Sequence, residues 1–129
     1  MLKQKLEEKG HIIHGCVEFF KCEVQPMISA RDHMFDDFTH SVDTARWICG
    51  GNVTNISSTC KNIETPDLNW ITANLEFDTG SNCIITNSWV SGRRIFRVQM
   101  HSNCMKKTSR PCWSSLHVAA RELKCIFFF

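Results

Sequence analysis

The sequence predicts an α+β fold, with an open, largely antiparallel sheet and its helices on one face, and three observations carry that expectation. One long amphipathic helical run over residues 29–49 ends on Gly50-Gly51. Several strand-like runs then follow in succession instead of alternating with further helices, which favours antiparallel pairing over βαβ crossovers. Two of them, WITANLEF and NCIITNSW, flank the turn sequence DTGS from Asp78 to Ser81, the pattern of a β-hairpin.

From the start of the chain, LKQKLEEK reads as the end of a helix stopped by Gly10. IIHGCVEFF then alternates β-branched and aromatic residues as a strand does. Residues 21–28, with Pro26, form a connection. Ser29 stands where it caps the long helix, and Asp32 occupies the N3 position of a weak capping box. Beyond Gly51, NVTNISSTCKNI reads as a strand, PDLN as a turn, then the hairpin, and IFRVQMH from Ile95 to His101 as a further alternating strand.

Residues 102–129 break this pattern. They lack strand alternation and carry five Lys/Arg against one Asp/Glu, whereas residues 1–103 carry ten against twelve. The segment is expected to stand outside the fold, as a frameshifted or mis-spliced end would, with a short helix over SSLHVAARELK as the alternative. Residues 1–101 are expected to hold the fold.

At 129 residues the chain has room for one modest core. A hydrophobic content of 43% with 22% charged residues is ordinary globular composition. No apolar run approaches the roughly 18 residues of a spanning helix, and MLKQKLEEKG lacks the apolar stretch of a signal peptide. The expectation is a soluble, cytoplasmic protein with no membrane partner. The basic excess lies in the tail, and the body shows no basic stripe interleaved with aromatics, so no nucleic-acid partner is expected. The eight cysteines form no CxxC pair and read as reduced thiols packed as small hydrophobes. His11-x-x-His14 beside Cys16 has no second ligand pair, so no metal is expected.

The long helix carries the chemistry. At about 100° per residue, His40, Asp43 and Trp47 fall within about 40° of Asp36, with His33 and Asp32 at the borders of the stripe. Met34, Phe35, Phe38, Val42, Ala45 and Cys49 occupy the opposite arc, which is expected to be buried. A histidine flanked one turn away on each side by a carboxylate suits proton transfer to or from a hydroxyl or carbonyl oxygen. The same stripe is equally the solvated face of an amphipathic helix, and the residues alone leave a hydrolase or an isomerase open. Trp47 reads as a wedge between helix and sheet. Trp89, Arg93 and Arg94 read as a packed tryptophan and two surface arginines, with the border of the site as the alternative.

The run Asp36-x-x-x-His40-x-x-Asp43, followed by Trp47 and Gly50-Gly51, resembles the helix that carries the second catalytic motif of the Gfo/Idh/MocA family of NAD(P)-dependent oxidoreductases. GHIIHGCVEFFK is similar to the strand that opens that family's second domain, and NLEFDTGSNCIITNSW to its next hairpin. The resemblance covers residues 1–101 and implies the family's C-terminal domain, which has a glyceraldehyde-3-phosphate-dehydrogenase-like fold. It implies a catalytic role for His40 and Asp36, a substrate-binding or equally a structural role for Asp43, a sugar or cyclitol substrate oxidised at a secondary alcohol, and homo-oligomers built through the sheet. Arg31 and His33, near the cleft end of the helix, are expected to contact substrate hydroxyls, with a solvated first turn as the alternative.

Two departures qualify the resemblance. The family's Glu-Lys-Pro segment is missing, because Pro26, Pro66 and Pro111 follow Gln, Thr and Arg. No GxGxxG stands among the six glycines. NAD or NADP is therefore expected only in the intact family enzyme, with none bound by this chain alone, and the N-terminal Rossmann domain is expected to be absent. Met34-Phe35 also stand where many members carry glycines. The expectation is the substrate half of such a dehydrogenase, inactive by itself, with a non-catalytic oligomerisation module as the alternative.

Overall fold

The computed structural model describes residues 2–8, 10–22, 34–103, 115–120 and 123–128. Helix α1 (Leu2–Glu7) leads into strand β1 (Ile12–Cys22). A π-helical turn, Met34–Phe38, runs directly into α2 (Thr39–Cys49). The strands β2 (Val53–Lys61), β3 (Trp70–Phe77), β4 (Asn82–Ser88) and β5 (Val90–Ser102) follow. The sheet order is β2-β3-β4-β1-β5, with only β1 and β4 parallel. Helix α2 packs on β1 and β4, and Lys3 of α1 sits over the Trp47 ring at 5.4 Å, so both helices lie on one side. The α+β expectation holds.

Register explains the core. Alternate side chains of a strand share a face, and across β3, β4, β1 and β5 the inward positions form rows: Ala73, Ile85, Val17, Val98, then Leu75, Cys83, Gly15, Met100. These rows pack under Ala45, Ile48 and Cys49 of α2. Gly15 is required by that close approach, since a Cβ there would lie 3.0 Å from Cys83 Sγ and 3.3 Å from Ile48 Cγ2. Burial and a shared hydrogen bond with Cys49 push the Cys83 thiol up, so it stays protonated and behaves as a small apolar group. Cys49 and Cys83 meet the expectation of buried thiols, whereas Cys22 and Cys60 are exposed.

The helix stop is where the glycine pair placed it. Gly50 and Gly51 take φ of 66° and 71°, the left-handed region open to glycine, and the Gly50 N–H donates to the Arg46 carbonyl at 2.9 Å. A side chain at Gly51 would also collide with Asp78, whose Oδ1 lies 2.1 Å from the Cβ position. Asp78 is engaged by the Asn52 N–H at 2.9 Å, which ties the helix exit to the β3–β4 turn.

Strand β5 begins at Val90, five residues before the sequence expectation. Its early residues are mostly exposed, so alternation does not mark them. The chain passes from β4 to β5 through Trp89 alone, crossing the C-terminal end of β1, where Cys22 pairs with Val90. Within the 102–129 segment, β6 (Ser115–Ala120) pairs antiparallel with β5, and β7 (Leu123–Phe128) pairs with β6. Backbone pairing thus reaches into the segment that the sequence sets apart, and Ser115–Ala120 is strand where a short helix was the alternative.

Candidate functional site

The N-terminal half of α2 and its π-turn lie over the carboxyl ends of the parallel pair β1 and β4. Open sheets with parallel strands commonly place ligands outside those ends. His40 and Asp43 are both exposed, three residues apart on the outward side of α2, where helical geometry makes them neighbours. The Thr44 hydroxyl donates to the His40 backbone carbonyl at 2.7 Å. Asp36 lies in the π-turn one turn before His40. Arg31 and His33 lie outside the described residues, as do Ser29 and Asp32 of the expected cap.

The inward side differs from expectation. Met34 and Phe35 are 45% and 67% exposed, while Asp37 is only 4% exposed. The physical reason is the π-turn. Each of its i→i+5 turns holds one more residue than an α-turn, so the phase assumed for an α-helix fails before Thr39. That lag turns Asp37 toward the buried side and takes Phe35 off it, while Met34 is exposed at the start of the turn. Trp47, expected as a wedge, is 55% exposed and is covered by the α1 lysine instead.

Under this turn the apolar rows give way to polar ones. The next inward row is Ile71, Asn87, Phe19 and Phe96, with the two phenylalanines edge to face at 5.6 Å. Asn87 Oδ1 accepts from the Ser41 hydroxyl at 2.9 Å, and both residues are fully buried. Asn87 Nδ2 has no hydrogen-bond partner among the described residues. Beyond that row, Lys21 Nζ lies 2.6 Å from Asp37 Oδ2, and the Trp89 indole N–H donates to the same oxygen at 2.9 Å. Lys21 also stands over the Phe19 ring at 5.2 Å.

Exposing Met34 and Phe35 forgoes up to about 1.5–3 kcal/mol per side chain. Charge-assisted bonds to Asp37 contribute a similar amount, about 1.5–3 kcal/mol each. Leaving Asp37 buried without them costs more than either. The ion pair and the indole bond therefore decide the geometry of the turn.

Two signals in the sequence pointed to this cluster. Lys21 has the same strand parity as Val17 and Phe19, so an alternating β1 aims it inward. Ser41 lies beside the apolar arc of the helix wheel, about 20° from Met34. Asp37 carried no such signal, because its inward position depends on the π-turn.

Among the described residues no glycine-rich loop leads into a helix, so they offer no cradle for a dinucleotide. Among the described residues the glycines with positive φ lie at the helix exit and the hairpin. The exit is the negative end of the helix dipole, unsuited to a pyrophosphate. The two histidines of the expected non-metal reading are engaged elsewhere: His11 Nε2 lies 3.0 Å from the Thr79 carbonyl, and His14 Nδ1 lies 2.9 Å from Asn82 Oδ1. No described helix is long and apolar enough to cross a membrane.

A family model for the GFO/IDH/MocA C-terminal domain matches residues 28–103, which include the π-turn, α2 and the hairpin. The chain belongs to this family of oxidoreductase C-terminal domains. Solved structures agree on the fold. A dehydrogenase (MviM) from Clostridium difficile superposes with a TM-score of 0.72 at 15% identity, over 92% of this chain and 36% of that one. UDP-N-acetylglucosamine 3-dehydrogenase GnnA from Acidithiobacillus ferrooxidans gives 0.68 at 15%, over 89% and 34%. An oxidoreductase from Agrobacterium radiobacter, solved with NAD+, L-tartaric acid and magnesium, gives 0.70 at 19%, over 91% and 36%. The chain thus spans about a third of the length of these structures. No curated protein sequence matches it.

Proposed function

We propose that this chain is the substrate-binding half of a NAD(P)-dependent oxidoreductase acting on a secondary alcohol of a sugar or cyclitol. One observation carries the reading most directly: Asp36-x-x-x-His40-x-x-Asp43 lies within the matched family segment, on a helix whose inner side is anchored and whose His40 is open to solvent. His40, as a neutral imidazole, takes the proton from the hydroxyl being oxidised and returns it in the reverse direction. Asp36 orients that hydroxyl or the imidazole. Asp43, with Arg31 and His33, binds neighbouring hydroxyls. NAD or NADP is held outside these residues, so the chain alone does not turn over substrate. A cytoplasmic location accompanies this reading.

Fusing a cofactor domain from a family dehydrogenase to the chain and following cofactor reduction across sugars and cyclitols tests it. The fusion is expected to be active, and His40→Ala to cost roughly 10²–10⁴-fold. Turnover by the chain alone would overturn the fragment reading.

A second reading, a non-catalytic oligomerisation module, is favoured by the other face of the sheet. Among the described residues no helix covers it. Its rows include Thr72, Thr86, Glu18, Arg97 and Asn74, Ile84, Cys16, Gln99. Phe20 stacks on Trp70 at 6.0 Å, and Arg97 Nη1 pairs with Glu18 Oε2 at 2.8 Å. We read this face as the site of homo-oligomers in either case. Ile84→Asp at its centre is expected to yield monomers by light scattering. A dimer that persists without any activity in the fusion would favour the module.

A further inference from the structure

The π-turn is a costly choice for this sequence, since an α-helical turn would carry Met34 and Phe35 toward the apolar arc and move Asp37 to its border. Two contacts hold Asp37 inward against the cost of burying a carboxylate: Lys21 Nζ at 2.6 Å from Oδ2 and the Trp89 indole at 2.9 Å. They come from two elements outside the π-turn, namely the end of β1 and the crossing from β4 to β5. The Thr39 hydroxyl, at the junction with α2, donates to the Phe35 carbonyl at 3.0 Å, the i−4 back-bond of a helical threonine. π-turns of this kind often accompany functional positions.

We propose that Lys21 and Asp37 are positioning residues whose ion pair, completed by Trp89, holds Met34–Phe38 in its π form and so sets where the backbone presents Asp36 relative to His40. The pair touches no substrate. It acts through the turn, and its importance for chemistry rests on the reading of Asp36 and His40 given above. Its test uses no turnover, so failure of that reading and failure of this one are separable.

The distinguishing experiment is the double variant K21M/D37L, studied in the full chain by NMR and thermal unfolding. Each single change breaks the buried pair and is destabilising, whereas removing both charges together is often neutral. A merely structural pair therefore predicts that the double variant regains the melting temperature and also the native signals of the turn. Positioning predicts regained stability with amide resonances of residues 34–40 and the His40 ring resonances displaced, the amides toward α-helical shifts. It also predicts that the conservative exchange Lys21→Arg, which keeps the ion pair, leaves those resonances in place. Native resonances at 34–40 in the folded double variant would overturn the proposal. Should that variant not fold, Trp89→Phe, which removes the indole donor together with part of a buried ring, serves instead. Displaced resonances confined to 34–40 then support positioning, and unchanged ones overturn it.

Discussion

The two ends of the interface between α2 and the sheet are built from opposite materials. Beneath the C-terminal end, Ala45, Ile48 and Cys49 rest on two rows of apolar side chains and one glycine. Beneath the N-terminal end, Asp37 and Ser41 rest on Lys21, Asn87 and Trp89 through directed bonds. Apolar packing is non-directional and tolerates a small shift of the helix. An ion pair and hydrogen bonds in a buried setting do not, because a displaced partner leaves a charge or donor unsatisfied. The helix is thus held by area at one end and by geometry at the other, and the geometric end carries Asp36 and His40.

This contrast is broken most severely at Lys21–Asp37. Lys21→Met or Asp37→Leu alone is expected to destabilise the chain by about 3–5 kcal/mol, as removal of one member of a buried pair does, measured by chemical denaturation. The apolar end gives the reference value. Ile48→Ala, fully buried over the Gly15 and Cys83 row, is expected to cost about 2–5 kcal/mol through lost contacts and a cavity. A polar single variant that cost less than about 1 kcal/mol would mean that water enters beneath the turn and that the contrast is false.

Ser41 sharpens the comparison at smaller magnitude. Ser41→Ala removes the donor to Asn87 Oδ1 and leaves that amide, whose Nδ2 already lacks a described partner, without a bond at either end. The expected loss is about 1–3 kcal/mol. Asn87→Leu in the same background is expected to recover much of it, because replacing both partners with apolar groups can be nearly neutral. Failure to recover would place the cost in packing and not in the unsatisfied amide.

How much of this was legible in the sequence follows from which period governs each segment. Strand β3 was read with its bounds, Trp70–Phe77, because it alternates strictly between core and surface. The glycine stop at Gly50-Gly51 was legible because only one residue type suits those φ values. The outward positions of His40 and Asp43 were legible because they lie in regular α-helix. Met34 and Phe35 were misplaced and Asp37 was not singled out, because a wheel of about 100° per residue does not describe a π-turn and nothing local in MFDDF announces one. Trp47 was misplaced for another reason, since its partner is Lys3, forty-four residues away.

The smallest expected effect lies on the outward side of the same helix and separates chemistry from stability. His40→Ala and Asp43→Asn remove exposed groups, and among the described residues neither side chain makes a bond that supports α2. Surface changes of this kind fall within about 0.5 kcal/mol, so their unfolding curves are expected to overlay the parent. A residue free of structural duty, on a helix held rigidly from below, is positioned for a ligand at little expense to the fold. If His40→Ala destabilised the chain as much as Ser41→Ala, the imidazole would be part of the scaffold, and its assignment to proton transfer would lose the feature that most distinguishes it from Asp37.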